Sequence, residues 1–268
     1  MTAVAVVQFK SSEDKQENLR RSVDYVAEAS AKKASIVCFP EFQMAFSPDS
    51  QSPAELSKMA EIVRGNFVTA LRAAARKSRI GVVATIYEKG MNNRVFDTAV
   101  VISAGGTITS VYRKLHLYDA LGFKESKKLM AGKKIEKPVK TQAGKIGVMI
   151  CYDIRFPELS RLLTIKGADI LVAPSAWVAG PMKEEHWQTM LKARAIENGS
   201  YMVAPDQVGN IYAGRSMVVD PIGAVILDMG QEEDMQVVEL DMNKVKQARQ
   251  SLPLLKNRRT DIYRLSAR

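Results

Sequence analysis

The sequence predicts a mixed α/β fold. Its first half alternates short apolar, β-branched runs with segments of helical period, the pattern of strand–helix–strand units. Hairpins follow later in the chain. No repeat, low-complexity tract or linker divides the 268 residues. One domain over 1–268 is therefore expected, with an extended segment from about residue 251.

Residues 2–9 are continuously apolar and read as a buried strand. Residues 13–33 carry Leu19, Val23, Val26 and Ala27 at helical spacing. A second strand is predicted over 35–39. Ser52-Pro53-Ala54-Glu55 is a capping box with proline at the first helical position, so a helix starts there. A helix over 66–77 and a strand over 80–87 follow. Residues 95–103 and 107–112 pair as a hairpin about Ala104-Gly105-Gly106. The run from Lys145 to Cys151 is a short buried strand, and Pro157 suits the first turn of the next helix. A strand over 169–174 leads to a helix over 183–198 closed by Gly199. Strands over 200–204, 216–219, 224–227 and 235–240 complete the set, and Asp241 caps a last short helix.

Composition narrows the function. Hydrophobic residues make up 46% and charged residues 25%, ordinary values for a soluble protein. No stretch approaches the ~18 apolar residues of a membrane span, and residues 1–9 lack the basic flank of a signal peptide. The expected setting is the cytoplasm, with no membrane contact. Two distant cysteines make no disulfide framework, and His116 and His186 alone assemble no zinc constellation. The formal charge of +10 is spread among acids except at 124–140 and 249–268, so no nucleic-acid partner is expected. Asn198-Gly199-Ser200 is read as a chance sequon. No GxSxG elbow, P-loop or GxGxxG occurs.

Three strand ends carry chemistry. Cys151 stands where its strand gives way to a turn, a position expected to be exposed at a sheet rim, whereas Cys38 falls mid-strand and should be buried and inert. Glu41 follows Phe39-Pro40 at the end of another strand, and Lys114 follows the strand over 107–112. A thiol becomes a competent nucleophile when a base or a positive neighbour favours its thiolate. A carboxylate in an apolar site can act as that base, and a fixed ammonium stabilises both thiolate and oxyanion. Each residue alone has a bland reading: a loop charge, a solvated lysine, a small hydrophobe. Together their types complement one another.

The segments Phe39-Pro40-Glu41-Phe42, Tyr112-Arg113-Lys114-Leu115-His116-Leu117-Tyr118 and Gly147-Val148-Met149-Ile150-Cys151-Tyr152-Asp153-Ile154-Arg155-Phe156-Pro157-Glu158 resemble the nitrilase superfamily of carbon–nitrogen hydrolases. The resemblance extends through His186-Trp187, residues 193–198 and 214–223, and the ending Leu252-Pro253 to Tyr263. It implies a four-layer αββα sandwich that pairs into a homodimer, and a Glu–Lys–Cys triad at Glu41, Lys114 and Cys151. It adds Glu125 as a second functional glutamate. Tyr152-Asp153 after the cysteine is similar to the branch holding omega-amidase and deaminated glutathione amidase. Two stretches depart from that branch: 180–187 is longer before its histidine, and 207–214 is shorter.

The resulting expectation is an amidase acting on a small carboxylate-bearing aliphatic amide through a Cys151 thioester, with no metal or organic cofactor. The Tyr152 N–H would help hold the oxyanion and Trp177 would line the substrate pocket. Arg155 and Arg194 are read as structural. Deaminated glutathione, carbamoyl amides or nitriles are alternative substrates on the same triad. A catalytically silent binding protein is the alternative from another class.

Overall fold

The computed structural model describes residues 1–265. In chain order these form β1 (Thr2–Gln8), α1 (Lys15–Ala31), β2 (Ile36–Cys38), α2 (Pro53–Met59), α3 (Asn66–Ser78), β3 (Gly81–Lys89), β4 (Val95–Ile102) and β5 (Ile108–Arg113). Then come β6 (Val139–Lys140), β7 (Lys145–Val148), α4 (Pro157–Ile165), β8 (Ile170–Val172), α5 (Lys183–Asn198) and β9 (Tyr201–Ala204). The remainder is β10 (Val208–Gly209), β11 (Tyr212–Ala213), β12 (Met217–Val219), β13 (Val225–Asp228), β14 (Asp234–Leu240) and α6 (Met242–Ser251).

Two six-stranded sheets dominate, ordered β14-β1-β2-β3-β4-β5 and β13-β12-β9-β8-β7-β6. Strands β1, β2 and β3 are parallel, as are β7, β8 and β9, while the flanking strands join antiparallel. The two-residue period of a strand decides which layer each side chain enters. Val4 and Val6 of β1 pack with Val148, Ile170 and Val203 of the second sheet, forming the core between the sheets. Ala5 and Val7, one residue out of phase, pack with Val26 of α1 and Leu71 of α3. On the far side Leu163 of α4 and Leu191 of α5 cover the second sheet. The layers are therefore helix, sheet, sheet, helix: the expected αββα sandwich.

Local signals set the helix boundaries. Asp14 accepts from Gln16 N and Glu17 N at the start of α1, and the Ser52–Glu55 capping box opens α2. Gly199 ends α5 with φ 54°, a left-handed cap that glycine adopts without a Cβ penalty. Several strands are one or two residues shorter than the apolar runs that predict them, because pairing stops before burial does. The segment expected to be extended from about 251 instead turns. Ser251 belongs to α6, Pro253 stops that helix, and its carbonyl accepts from Lys256 N and Asn257 N at 3.0 Å. Tyr263 N donates to Arg259 O at 2.9 Å. Residues 266–268 lie outside the described set.

Candidate active site

The ends of β2, β5 and β7 converge between the two sheets. Just past β2, Glu41 is pinned from both sides: its N–H donates to Ser175 O at 3.2 Å and its carbonyl accepts from Gln207 Nε2 at 2.9 Å. Lys114 directly follows β5. Its N–H donates to Asp97 O of β4 at 2.9 Å and its carbonyl accepts from Gly132 N at 2.7 Å. Gly132 permits that closure, since a Cβ there would lie 2.3 Å from Arg113 O.

The Lys114 side chain has no solvent exposure and its ammonium donates to three carboxylate oxygens. Glu41 Oε1 lies at 2.7 Å, with Glu125 Oε1 and Oε2 at 3.0 and 2.9 Å. Glu125, in a short 3₁₀ turn at Glu125–Lys127, also accepts from Tyr118 N at 2.7 Å. Burial works against the Lys114 ammonium, but Glu125 and Glu41 outweigh it and raise its pKa well above the ordinary lysine value. Burial likewise raises the Glu125 carboxyl, against the pull of Lys114.

Cys151 opens a 3₁₀ turn, Cys151–Arg155, that directly follows Ile150. Its φ of 42° lies in the left-handed region that few non-glycine residues occupy. Its N–H donates to Pro174 O at 2.9 Å. Asp153 holds the turn by accepting from Ile150 N at 2.9 Å and from Tyr112 Oη at 2.6 Å. The strand-end cysteine was expected at an exposed rim; it is buried, on the floor of a cleft, because the Glu41 loop and the 175–178 segment close over it. Burial and the neighbouring Glu41 raise its thiol well above the ordinary value, while Lys114 and the Ala176 N–H oppose them. The resting group is therefore a neutral thiol, beside a buried carboxylate able to take its proton.

Phe42, Tyr118, Tyr152, Trp177 and Tyr212 wall the cleft. Trp177 is fixed by its N–H on Asp206 Oδ1 at 2.8 Å and by Nε1 on Lys183 O at 2.7 Å. Cys38 is buried between the sheets, its thiol pushed up to about 12 by burial. Arg194 donates to Ile154 O at 2.7 Å and pairs with Glu197, a structural role. Arg155 departs from that reading: its guanidinium lies in the cleft, 4.7 Å from the Trp177 ring centroid.

The sequence reading missed two further groups. Lys183 lies at the cleft wall, mostly buried, with Nζ on Tyr118 Oη at 2.5 Å. It belongs to the stretch that departs from the family pattern, and Met182 before it has φ 59°. Asp97 is buried beside Glu41 and Lys114; the available signal was an acid in the mostly apolar run of β4. Among the described residues no helix is long and apolar enough to cross a membrane, and no cluster of potential metal ligands occurs.

Residues 3–250 match the family model described as carbon-nitrogen hydrolase. The deaminated glutathione amidase of Escherichia coli O157:H7 is 36% identical over 257 residues, covering 96% of this chain and 97% of that protein. The deaminated glutathione amidase of Homo sapiens is 35% identical over 277 residues, covering 97% of this chain and 83% of that one. Of solved structures, the C. elegans NitFhit protein superposes with a TM-score of 0.91 at 33% identity, over 98% of this chain and 66% of that longer one. A carbon-nitrogen hydrolase from Helicobacter pylori G27 gives 0.88 at 26% identity, over 98% and 97%.

Proposed function

Because the chain belongs to the carbon–nitrogen hydrolase family, we propose that it is an amidase whose nucleophile is Cys151 and whose substrate is a small amide bearing a carboxylate. The observation that carries this reading is the buried Glu41–Lys114–Glu125 cluster beside a neutral thiol at the floor of an apolar cleft. Cys151 Sγ attacks the amide carbonyl carbon while Glu41 accepts the thiol proton. The Lys114 ammonium and the Tyr152 N–H hold the tetrahedral oxyanion, and Glu125 keeps Lys114 oriented. Collapse breaks the C–N bond, Glu41 returns the proton to nitrogen, and ammonia leaves a thioester. Water, deprotonated by Glu41, cleaves the thioester and restores the thiol. A preserved acid–base–nucleophile set disfavours a silent binding protein.

Arg155 and Lys183 support a carboxylate on the substrate. Both are cations in the cleft, and among the described residues neither is ion-paired with an acid: Lys183 meets the Tyr118 hydroxyl, and Arg155 Nη2 lies 3.5 Å from His186 Nδ1. The enclosing rings of Tyr152 and Trp177 favour a short aliphatic chain, with omega-amides of 2-oxo dicarboxylic acids first. A longer amide is the second reading, favoured by the names of the relatives and by Lys124 and Lys128 on the same cleft. A coupled ammonia assay over dicarboxylic and 2-oxo acid monoamides, deaminated glutathione, nitriles and carbamoyl amino acids tests both. Ammonia from nitriles or carbamoyl compounds alone defeats the proposal. Two free thiols suit a reducing compartment, and we place the enzyme in the cytoplasm as a homodimer.

A further inference from the structure

Two buried carboxyl groups at the site have oxygens without a hydrogen-bond partner among the described residues: Glu41 Oε2, and both oxygens of Asp97. The two carboxyl groups are direct neighbours, and each residue is 1% exposed. Carboxylate oxygens repel at such contact unless a proton lies between them. We propose that Asp97 is a neutral carboxylic acid whose O–H donates to Glu41 Oε2, making it the positioning residue for the catalytic base. This deepens the amidase reading and rests on Glu41 as that base.

Hydrogen-bond accounting places the proton on Asp97. Lys114 Nζ directs its donors at Glu41 Oε1 and the two Glu125 oxygens, and Tyr118 N adds another to Glu125. Glu41 and Glu125 are thus supported as anions. The two carboxyl oxygens of Asp97 accept from nothing among the described residues. Charge agrees: with all three acids ionised, the single Lys114 ammonium would face three buried negative charges. The other groups facing Asp97 are Tyr87, opposite it on β3, and Tyr112 on β5, neither of which is positive. Burial, followed by Glu41, pushes the Asp97 carboxyl well above the usual range despite Lys114.

The arrangement gives each Glu41 oxygen one donor: Lys114 on Oε1 and Asp97 on Oε2. The carboxylate is then fixed in the plane from which it meets the Cys151 proton. As pH rises and Asp97 ionises, a second bare negative charge appears against Glu41 and that geometry is lost. The device therefore adds an alkaline limit to turnover that an uncharged donor would not have.

Infrared spectroscopy of the full-length protein at neutral pH decides the protonation without any substrate. A carboxylic-acid carbonyl band that shifts on ¹³C-aspartate labelling is expected in the wild type. One such component should vanish in Asp97→Asn, while any contribution from Asp206, also pushed up by burial, persists. The labelled wild type needs no substitution, so an absent aspartic-acid band overturns the proposal even if variants fail to fold. With succinamate as probe, Asp97→Asn should keep kcat within a few-fold and extend activity to higher pH. Asp97→Leu should lower kcat roughly 10- to 100-fold with KM little changed, as expected for a lost hydrogen bond to an ion. An Asn variant as impaired as the Leu variant, with Cys151 still alkylatable, also overturns it. If the wild type releases no ammonia from succinamate, the substrate reading fails and the infrared result still judges Asp97.

Discussion

Tyr112 donates its hydroxyl to Asp153 Oδ2 at 2.6 Å, and that one bond ties the strand leading to Lys114 to the turn that carries Cys151. Tyr112 lies in β5 of the first sheet and Asp153 in the turn that follows β7 of the second, and both are buried. Asp153 completes the strut by accepting from Ile150 N and, at Oδ1, from His116 N at 3.0 Å. Tyr112→Phe should therefore cost about 1–3 kcal/mol of stability, read by urea denaturation. It should also lower kcat more than it raises KM, because ammonium and thiol lose their common brace. Wild-type kcat in a destabilised Tyr112→Phe protein would confine the bond to folding.

Lys114 should not tolerate arginine. Its ammonium sits without solvent among three acceptor oxygens, and a planar guanidinium needs more room and a different donor geometry. Lys114→Arg should lose activity despite its charge. Lys114→Met removes the cation and leaves two carboxyl groups facing each other, for a destabilisation of roughly 3–5 kcal/mol. Glu125→Gln should keep an alkylatable Cys151 while kcat falls. Undiminished amidase turnover in that variant would return Glu125 to an ordinary loop acid.

How much of this was legible in the sequence depended on whether a signal was local. Ser52–Glu55, Asp241 and Gly199 mark helix ends through their own side chain or backbone, and the structure has each boundary there. The two-sheet architecture was not readable from periodicity, since residues in β1 and β8 meet only through the tertiary fold; family resemblance supplied it. Cys151 misled as to exposure because a strand end says nothing about which loops close over it. Lys183 and Asp97 carried no motif. Their roles depend on neighbours remote in sequence, Tyr118 for Lys183 and Glu41 for Asp97.

The thiols should differ in how they meet an alkylating reagent. Burial and Glu41 hold Cys151 protonated at neutral pH, so its reaction with iodoacetamide should accelerate as pH rises. Mass spectrometry should find the adduct on Cys151 and none on native Cys38. Cys38 also sets a stability slope. Its thiol titrates at 9.0 ordinarily and about 12 when folded, so its contribution is full below 9.0 and falls as pH approaches 12, at up to ~1.4 kcal/mol per pH unit. Cys38→Ala should remove that slope, although its cavity lowers stability at every pH.

Self-association should be detectable by light scattering. Leu252, Ile262 and Tyr263 are 53%, 71% and 53% exposed, on turns after α6 that carry several apolar side chains. A second copy of the chain is the partner the homodimer reading supplies. A particle of twice the 29.6 kDa chain mass is expected at micromolar concentration. A stable monomer there would remove the homodimer from the proposal.

Lys183 should set the preference for acidic amides. Its stem packs toward the Trp177 and Tyr118 rings, with Nζ 5.8 and 4.8 Å from their centroids, so the ammonium is positioned more tightly than a surface lysine. Substitution to methionine keeps the stem and deletes the charge. Lys183→Met should raise KM for a carboxylate-bearing amide on the order of 10- to 100-fold, the worth of a hydrogen bond to an ion, with kcat less affected. A neutral amide of equal length should lose little, because it makes no ion pair to forfeit. Equal losses for both would assign Lys183 to the support of Trp177, whose Nε1 rests on its carbonyl, and leave Arg155 as the cleft cation that reads the carboxylate.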